Sequence, residues 1–214
     1  MGNDIAVVIE HLEGKVSDIS FEMLGKGREL AKASGGRLVA LLLGRGVKGL
    51  SSELGCADTV IVVEHEALRH YTPEAYKQAL ADILKARSPR VTLVANTAMG
   101  MDLAAGLSGS LGWPLCAYCR DARLADGRLT AVSQIYGGKL LAHADMEGPS
   151  AILSVLAGSF PADAGKAAGS PRLEEVPPPP LDKPRIRFKR LIQPEAGDVD
   201  ITRQAVLVSV GRGI

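Results

Sequence analysis

Aromatic side chains make up only 4% of this 214-residue chain, although 46% of it is hydrophobic. A core built from it is therefore aliphatic, which suits a parallel sheet covered by helices. Neither sign of charge is in excess: 25 Lys and Arg stand against 24 Asp and Glu, a formal net charge of +1. General polyanion binding needs a basic field, so no nucleic-acid partner is expected. No apolar run approaches the roughly 20 residues of a membrane-spanning helix. The chain enters an apolar run directly after Asp4, with neither a signal peptide nor an Arg-rich transit segment. Three cysteines are an odd and small number for a chain with ample core. They point to a reducing compartment, with the cytoplasm as the default location. Phosphate grips are missing too. Neither G-x-x-x-x-G-K-[ST] nor G-x-G-x-x-G occurs, and residues 99–111 contain no Lys or Arg.

What is present reads as alternating strands and helices. Residues 5–9 form a continuous apolar run, as a central buried strand would. Residues 17–33 read as a helix with Asp18 and Ser20 as candidate caps, stopped by Gly35-Gly36. Gly25 and Gly27 weaken it and imply close packing against a strand. Residues 37–43 and 59–63 read as strands, with a short helix over 47–54 between them. Thr72-Pro73-Glu74 opens the clearest helix, with Thr72 at the N-cap and Pro73 at the first position. Tyr76, Ala79, Leu80, Ile83 and Leu84 give it one apolar stripe.

The pivot is the stretch 91–111, VTLVANTAMGMDLAAGLSGSL. A short apolar strand feeds a helix of small residues through a turn containing Gly100, and Leu103, Leu107 and Leu111 are its expected buried face. Four βα units in succession predict an α/β fold: a doubly wound, mainly parallel sheet with helices on both faces. After Gly112 the strands at 115–124, 129–135, 139–144 and 151–155 are joined by connections too short for crossover helices. Antiparallel strands are therefore added in the second half. Composition shifts to Pro, Ala, Gly and charge from Pro161 on, including the four prolines 177–180. This divides the chain into a domain over 1–160, a Pro-rich linker with a basic extended segment over 161–204, and a final apolar strand opening at 205 and running to Ile214.

The pivot resembles the T-x-x-G-R-D-L-A-P-R-L-A-A-R-L segment in the alpha subunit of electron-transfer flavoproteins. Thr97, Gly100, Asp102, Leu103, Ala104, Leu107 and Leu111 match it; Met101, Ala105 and Gly106 do not. Glu10-His11 with Gly14 resembles the family's E-H-x-x-G, and Gly137-Gly138-Lys139 its Gly-Gly hairpin. The run 208–213, VSVGRG, is similar to the V-S-G-G-R-G that opens the flavin-binding domain. The family's Arg in G-R-D-L is Met101 here, and its Arg in V-R-P-G is Leu156.

The resemblance implies the N-terminal scaffold and partner-binding domain of an alpha subunit. That subunit would be half of a heterodimeric electron carrier that holds FAD mainly in a C-terminal domain. Its partner would be the family's beta subunit, with dehydrogenases and an electron acceptor engaged indirectly. Ser209, Gly211, Arg212 and Gly213 are then cofactor-binding residues, but only within a complete FAD domain. No flavin is expected on this chain alone, no bond-making chemistry in it, and no catalytic or metal-ligating residue. The rival reading is a free-standing nucleotide-binding α/β protein, a sensor or an ATP-using enzyme.

Several residues admit a sharper role. Cys116-Ala117-Tyr118-Cys119 has dithiol spacing, but redox pairs usually open a helix. Three apart on a regular strand, the two side chains would face opposite sides. No second Cys or His pair offers zinc spacing, so the structural reading is preferred. His11, at a strand's carboxyl end, either lines a crevice or holds the loop. His65, His70 and His143 have no partner visible in sequence. Asp102 near a helix start suggests capping, and Gly100, Gly106 and Gly109 suggest close helix packing. Lys183, Arg185, Arg187 and Lys189 alternate with Pro184, Ile186 and Phe188. They form either a solvated strand face or a docking strip for an acidic partner.

Overall fold

The computed structural model of the chain describes residues 2–181, 185–192 and 204–213. In chain order its elements begin with strand β1 (Ile5–Val8), the hairpin of β2 (His11–Leu12) and β3 (Lys15–Val16), and helix α1 (Asp18–Ser34). Next come β4 (Leu38–Gly44), β5 (Thr59–Glu64), α2 (Pro73–Arg87), β6 (Val91–Ala95) and α3 (Ala98–Leu111). The second half holds β7 (Leu115–Ala125), β8 (Arg128–Ile135), β9 (Leu140–Asp145), β10 (Ala151–Val155) and β11 (Arg172–Glu175). Apart from the β2–β3 hairpin, all strands join one nine-stranded sheet in the order β11-β5-β4-β1-β6-β10-β7-β8-β9.

Every residue of β1, β4, β6 and β10 is buried, because both faces of these strands are covered. Their side chains divide by the period of two. Ile5, Val7 and Leu93 enter a core with α1, while Ala6, Val8 and Val94 enter a second core with α2 and α3. The sheet is thus doubly wound. Its order reverses at β1, which has β4 on one side and β6 on the other, so their carboxyl ends diverge and leave a crevice.

The second half is antiparallel only in part. β7, β8 and β9 pair antiparallel, and the Asp126-Gly127 turn takes positive φ at both positions, the geometry that suits a two-residue hairpin. β10, grouped by its short connection with the antiparallel strands, instead inserts parallel between β6 and β7. Its continuous burial, shared with β1 and β6, is the signature of that position. The sheet also continues past residue 160. Residues 162–165 form a turn that packs on α1, and β11 pairs parallel with β5 at the far edge.

Local chemistry differs from expectation at several points. Ser17, not Asp18 or Ser20, is the N-cap residue of α1, with no side-chain capping bond. Ser20 instead accepts from the Glu10 amide at 2.8 Å and donates to the Glu10 carbonyl at 3.1 Å, tying α1 to the end of β1. Thr72 stands at the N-cap of α2, but its hydroxyl makes no capping bond. In α3 the cap is Thr97, whose hydroxyl accepts from the Gly100 amide, while Asp102 lies exposed. Leu103 and Leu107 are buried, but Leu111 is only half-buried.

The glycines divide likewise. A Cβ on Gly27 would strike Leu38 and Val7 of the strands, whereas one on Gly25 would strike Ala164 of the 162–165 turn. A Cβ on Gly100 would lie 1.8 Å from the Ala95 carbonyl oxygen, so close packing accounts for that glycine; one on Gly109 would meet open space. Residues 204–213 carry no strand, and Val206, Leu207, Val208 and Val210 are exposed. Lys183 and Pro184 of the basic segment, and Ile214, lie outside the described residues.

Candidate functional site

The crevice at the carboxyl ends of β1, β4 and β6 holds a cavity of about 760 Å³. Glu10 and His11 enter it from the end of β1, Met99 and Gly100 from the start of α3, and Tyr71 and Tyr76 from the α2 side. Phe188 and Leu191 cover it from the basic segment, with Phe188 stacked on His70 at 3.8 Å between ring centroids. Arg185 anchors that segment: its amide and guanidinium both bond to the Glu74 carboxylate, which is thereby held below the usual carboxylate range.

Most polar groups here already have partners in the chain. Thr97 donates to the Glu10 carboxylate at 2.6 Å and accepts from Gly100, so one hydroxyl joins β1, β6 and α3. His11 donates through Nε2 to the Leu43 carbonyl at 2.8 Å, which both holds the loop to β4 and leaves the ring lining the crevice. Tyr71 donates to the Met99 carbonyl and Tyr76 to the Leu68 carbonyl. Burial pushes the Tyr76 phenol up to about 12 and raises that of Tyr71 as well. The rim cations Arg45 and Arg69 both pair with Glu66.

Burial also pushes the Glu10 carboxyl above its ordinary range, against the Thr97 hydrogen bond and the neighbouring His11. Between the unfolded and the raised folded pKa the folded state then binds more of this proton than the unfolded chain does. Glu10's contribution is therefore fully present below its unfolded pKa and lost as pH rises through the folded value. Relative to Glu10→Gln, which keeps an acceptor for Thr97, the wild-type chain should gain stability between pH 7 and pH 5. Urea denaturation of both proteins at the two pH values checks this, and an unchanging difference would contradict it.

The other expected residues lie elsewhere. Ser209, Gly211, Arg212 and Gly213 fall in the exposed segment 204–213, and none lines the crevice. Met101 is exposed on the first turn of α3, and Leu156 follows β10 half-buried. His65 accepts from the Ala67 amide, a local cap. Among the described residues no group of three or more His, Cys, Asp or Glu could hold a metal ion, and no helix is long and apolar enough to cross a membrane. Cys116 and Cys119 are both buried on the same side of the sheet, contrary to the alternation expected of a regular strand. β7 bulges between them at Tyr118, whose φ is 50°.

A family model described as electron transfer flavoprotein domain matches residues 5–181, a span that contains the nine-stranded sheet, from Ile5 to Glu175, and its flanking helices. The chain belongs to the electron transfer flavoprotein family. Among curated relatives, protein FixB of Clostridium saccharobutylicum is 32% identical over 97% of this chain and 64% of its own length. The electron transfer flavoprotein subunit alpha of Bacillus subtilis is 24% identical across the whole chain and 66% of its own length. That of Megasphaera elsdenii is 37% identical over 64% of the chain and 42% of its own length. The chain thus spans about two thirds or less of the relatives it matches. The alpha-type resemblance and the α/β fold stand together, and the free-standing nucleotide-binding reading is not favoured.

Proposed function

We propose that this chain is the scaffold and partner-binding domain of an electron transfer flavoprotein alpha subunit. In this reading it forms a heterodimer with a beta subunit and serves a cytoplasmic electron carrier without bond-making chemistry of its own. The observation that carries the reading is the family match over 5–181, which contains the nine-stranded sheet and a crevice braced by its own side chains. Glu10, Thr97, His11 and the two rim arginines are committed to contacts within the chain, as fits a support rather than a grip. A surface for a partner is offered at the other end. β9 is an edge strand, and Leu140 and Leu141 on it and Tyr136 beside it are exposed. An apolar edge of this kind calls for cover.

Flavin, in the same reading, sits in a C-terminal domain that residues 205–214 begin, with Ser209, Gly211, Arg212 and Gly213 contributing to it. A dinucleotide site needs several strand ends, helix amino-termini and walls around the ring, and a lone exposed segment does not supply them. The 214-residue chain should leave a desalting column without a flavin spectrum, and titration calorimetry with AMP, ATP and FAD should show no saturable binding at micromolar concentration. Mixed with its beta subunit, it should form a complex on size exclusion, weakened by Leu141→Glu. A flavin spectrum that survives desalting, or micromolar nucleotide binding, would favour the rival reading.

A further inference from the structure

Cys116 and Cys119 are 5% and 0% exposed and lie in the same core as Leu153 and Val155 of the neighbouring strand. The ladder explains how. Cys116 is registered against Leu153 and Cys119 against Val155, so three steps along β7 match two along β10. The extra residue is absorbed at Tyr118, in the left-handed region and half exposed. Leu153 and Val155 share a face, as residues two apart on a strand must, and the cysteines opposite them therefore share it too. Two residues of strand span about 6.6 Å, inside the Cα separation of about 4.4–6.8 Å that a disulfide bridges.

On that shared face each thiol acts on the other, which lowers the Cys116 thiol and raises that of Cys119, while the Cys116 sulfur itself lies 3.8 Å from the Ala117 carbonyl. The Cys119 sulfur also lies 3.2 Å from the Asp121 carbonyl, and Ser133 stands directly opposite Cys119 on β8. The third cysteine, Cys56, sits against the Leu24 carbonyl of α1, away from this ladder.

We propose that Cys116 and Cys119 form a dithiol site that a peroxide-class oxidant converts to a disulfide across the Tyr118 bulge. The steps balance. The Cys116 thiolate attacks one peroxide oxygen; a sulfur–oxygen bond forms, the oxygen–oxygen bond breaks, and hydroxide leaves to take up the Cys116 proton as water. The Cys119 sulfur then attacks the Cys116 sulfur. The sulfur–sulfur bond forms, the sulfur–oxygen bond breaks, and the departing hydroxide takes the Cys119 proton as a second water. Overall two thiols are oxidised and one peroxide is reduced to two waters. The bulge, rather than a helix start, brings the pair together.

The test uses the full folded chain, treated with hydrogen peroxide, alkylated with iodoacetamide in denaturant and digested with trypsin. Cys116 and Cys119 share the fragment 91–120, and Cys56 falls in the separate fragment 49–69. The expected product is a 91–120 fragment lighter by about 2 Da and closed to alkylation until reduced, with Cys56 still alkylated. Phenylarsine oxide, which bridges neighbouring thiols with loss of water, should protect the same pair in untreated protein. With dimedone present during oxidation, Cys119→Ser should trap an adduct on Cys116, while Cys116→Ser should give none on Cys119. Three alkylatable thiols after peroxide, a bridge involving Cys56, or no arsenical protection of the pair would each overturn the proposal. The wild-type measurements decide it even if a serine variant fails to fold.

Discussion

Gly100→Ala is expected to destabilise the protein by about 1–3 kcal/mol or somewhat more, the cost of forcing an extra carbon into a packed site. The added Cβ would fall 1.8 Å from the Ala95 carbonyl oxygen, a backbone atom at the end of β6 that no rotamer change can move. Relief requires shifting α3 away from β6, which breaks the Thr97 bridge between Gly100 and Glu10. Gly109→Ala on the same helix should act in the opposite direction. Its Cβ meets nothing within 4 Å, and Ala is favoured over Gly in a helix by about 1 kcal/mol. Urea denaturation midpoints of the two variants, at unchanged slope, give the comparison. Equal effects in the two would contradict the close approach at Gly100.

Leu107→Ala should cost about 2–5 kcal/mol, the range for deleting a fully buried leucine. Leu107 has no exposed surface and packs in the core shared by α2, α3, Val94 and Ile152. Against a total stability of about 5–15 kcal/mol, such a loss approaches the whole margin of a weak domain. Leu111→Ala, at the half-buried end of the same stripe, should cost clearly less. A loss below about 0.5 kcal/mol at Leu107 would be surface behaviour and would sink the packing assigned to α3.

The βαβ grammar was legible wherever burial leaves a simple pattern. Residues 5–9, 37–43, 91–95 and 151–155 read as strands because covering both faces leaves runs dominated by aliphatic side chains, with the polar Thr92 and Ser154 themselves buried. The parallel pairing of β10 was not legible, since a short connection suggests a hairpin and only the sheet order shows the insertion. β11 was hidden as well: Arg172-Leu173-Glu174-Glu175 is an edge strand, largely exposed, in a Pro-rich setting. At the crevice, Glu10, His11 and Thr97 were visible as residues, but their mutual bonding was not, because it links positions 87 residues apart. The side-by-side cysteines were missed for a different reason. Alternation holds only on a regular strand, and nothing in Cys-Ala-Tyr-Cys announces that a tyrosine will take positive φ.

The insertion of β10 also bears on how the chain is finished as it is synthesised. Residues 151–155 pair on one side with β6 and on the other with β7, and they alone join the parallel half of the sheet to the antiparallel ribbon. A growing chain that has reached residue 145 carries both halves but not the seam between them. Its β6 and β7 edges, apolar and unpaired, are open to other chains at the ribosome, and such edges favour aggregation. Residues 151–155 must clear the exit tunnel before that exposure ends. Products released by premature termination ahead of residue 151 should therefore depend on chaperones and be degraded more than those that extend through β11, which also covers the β5 edge.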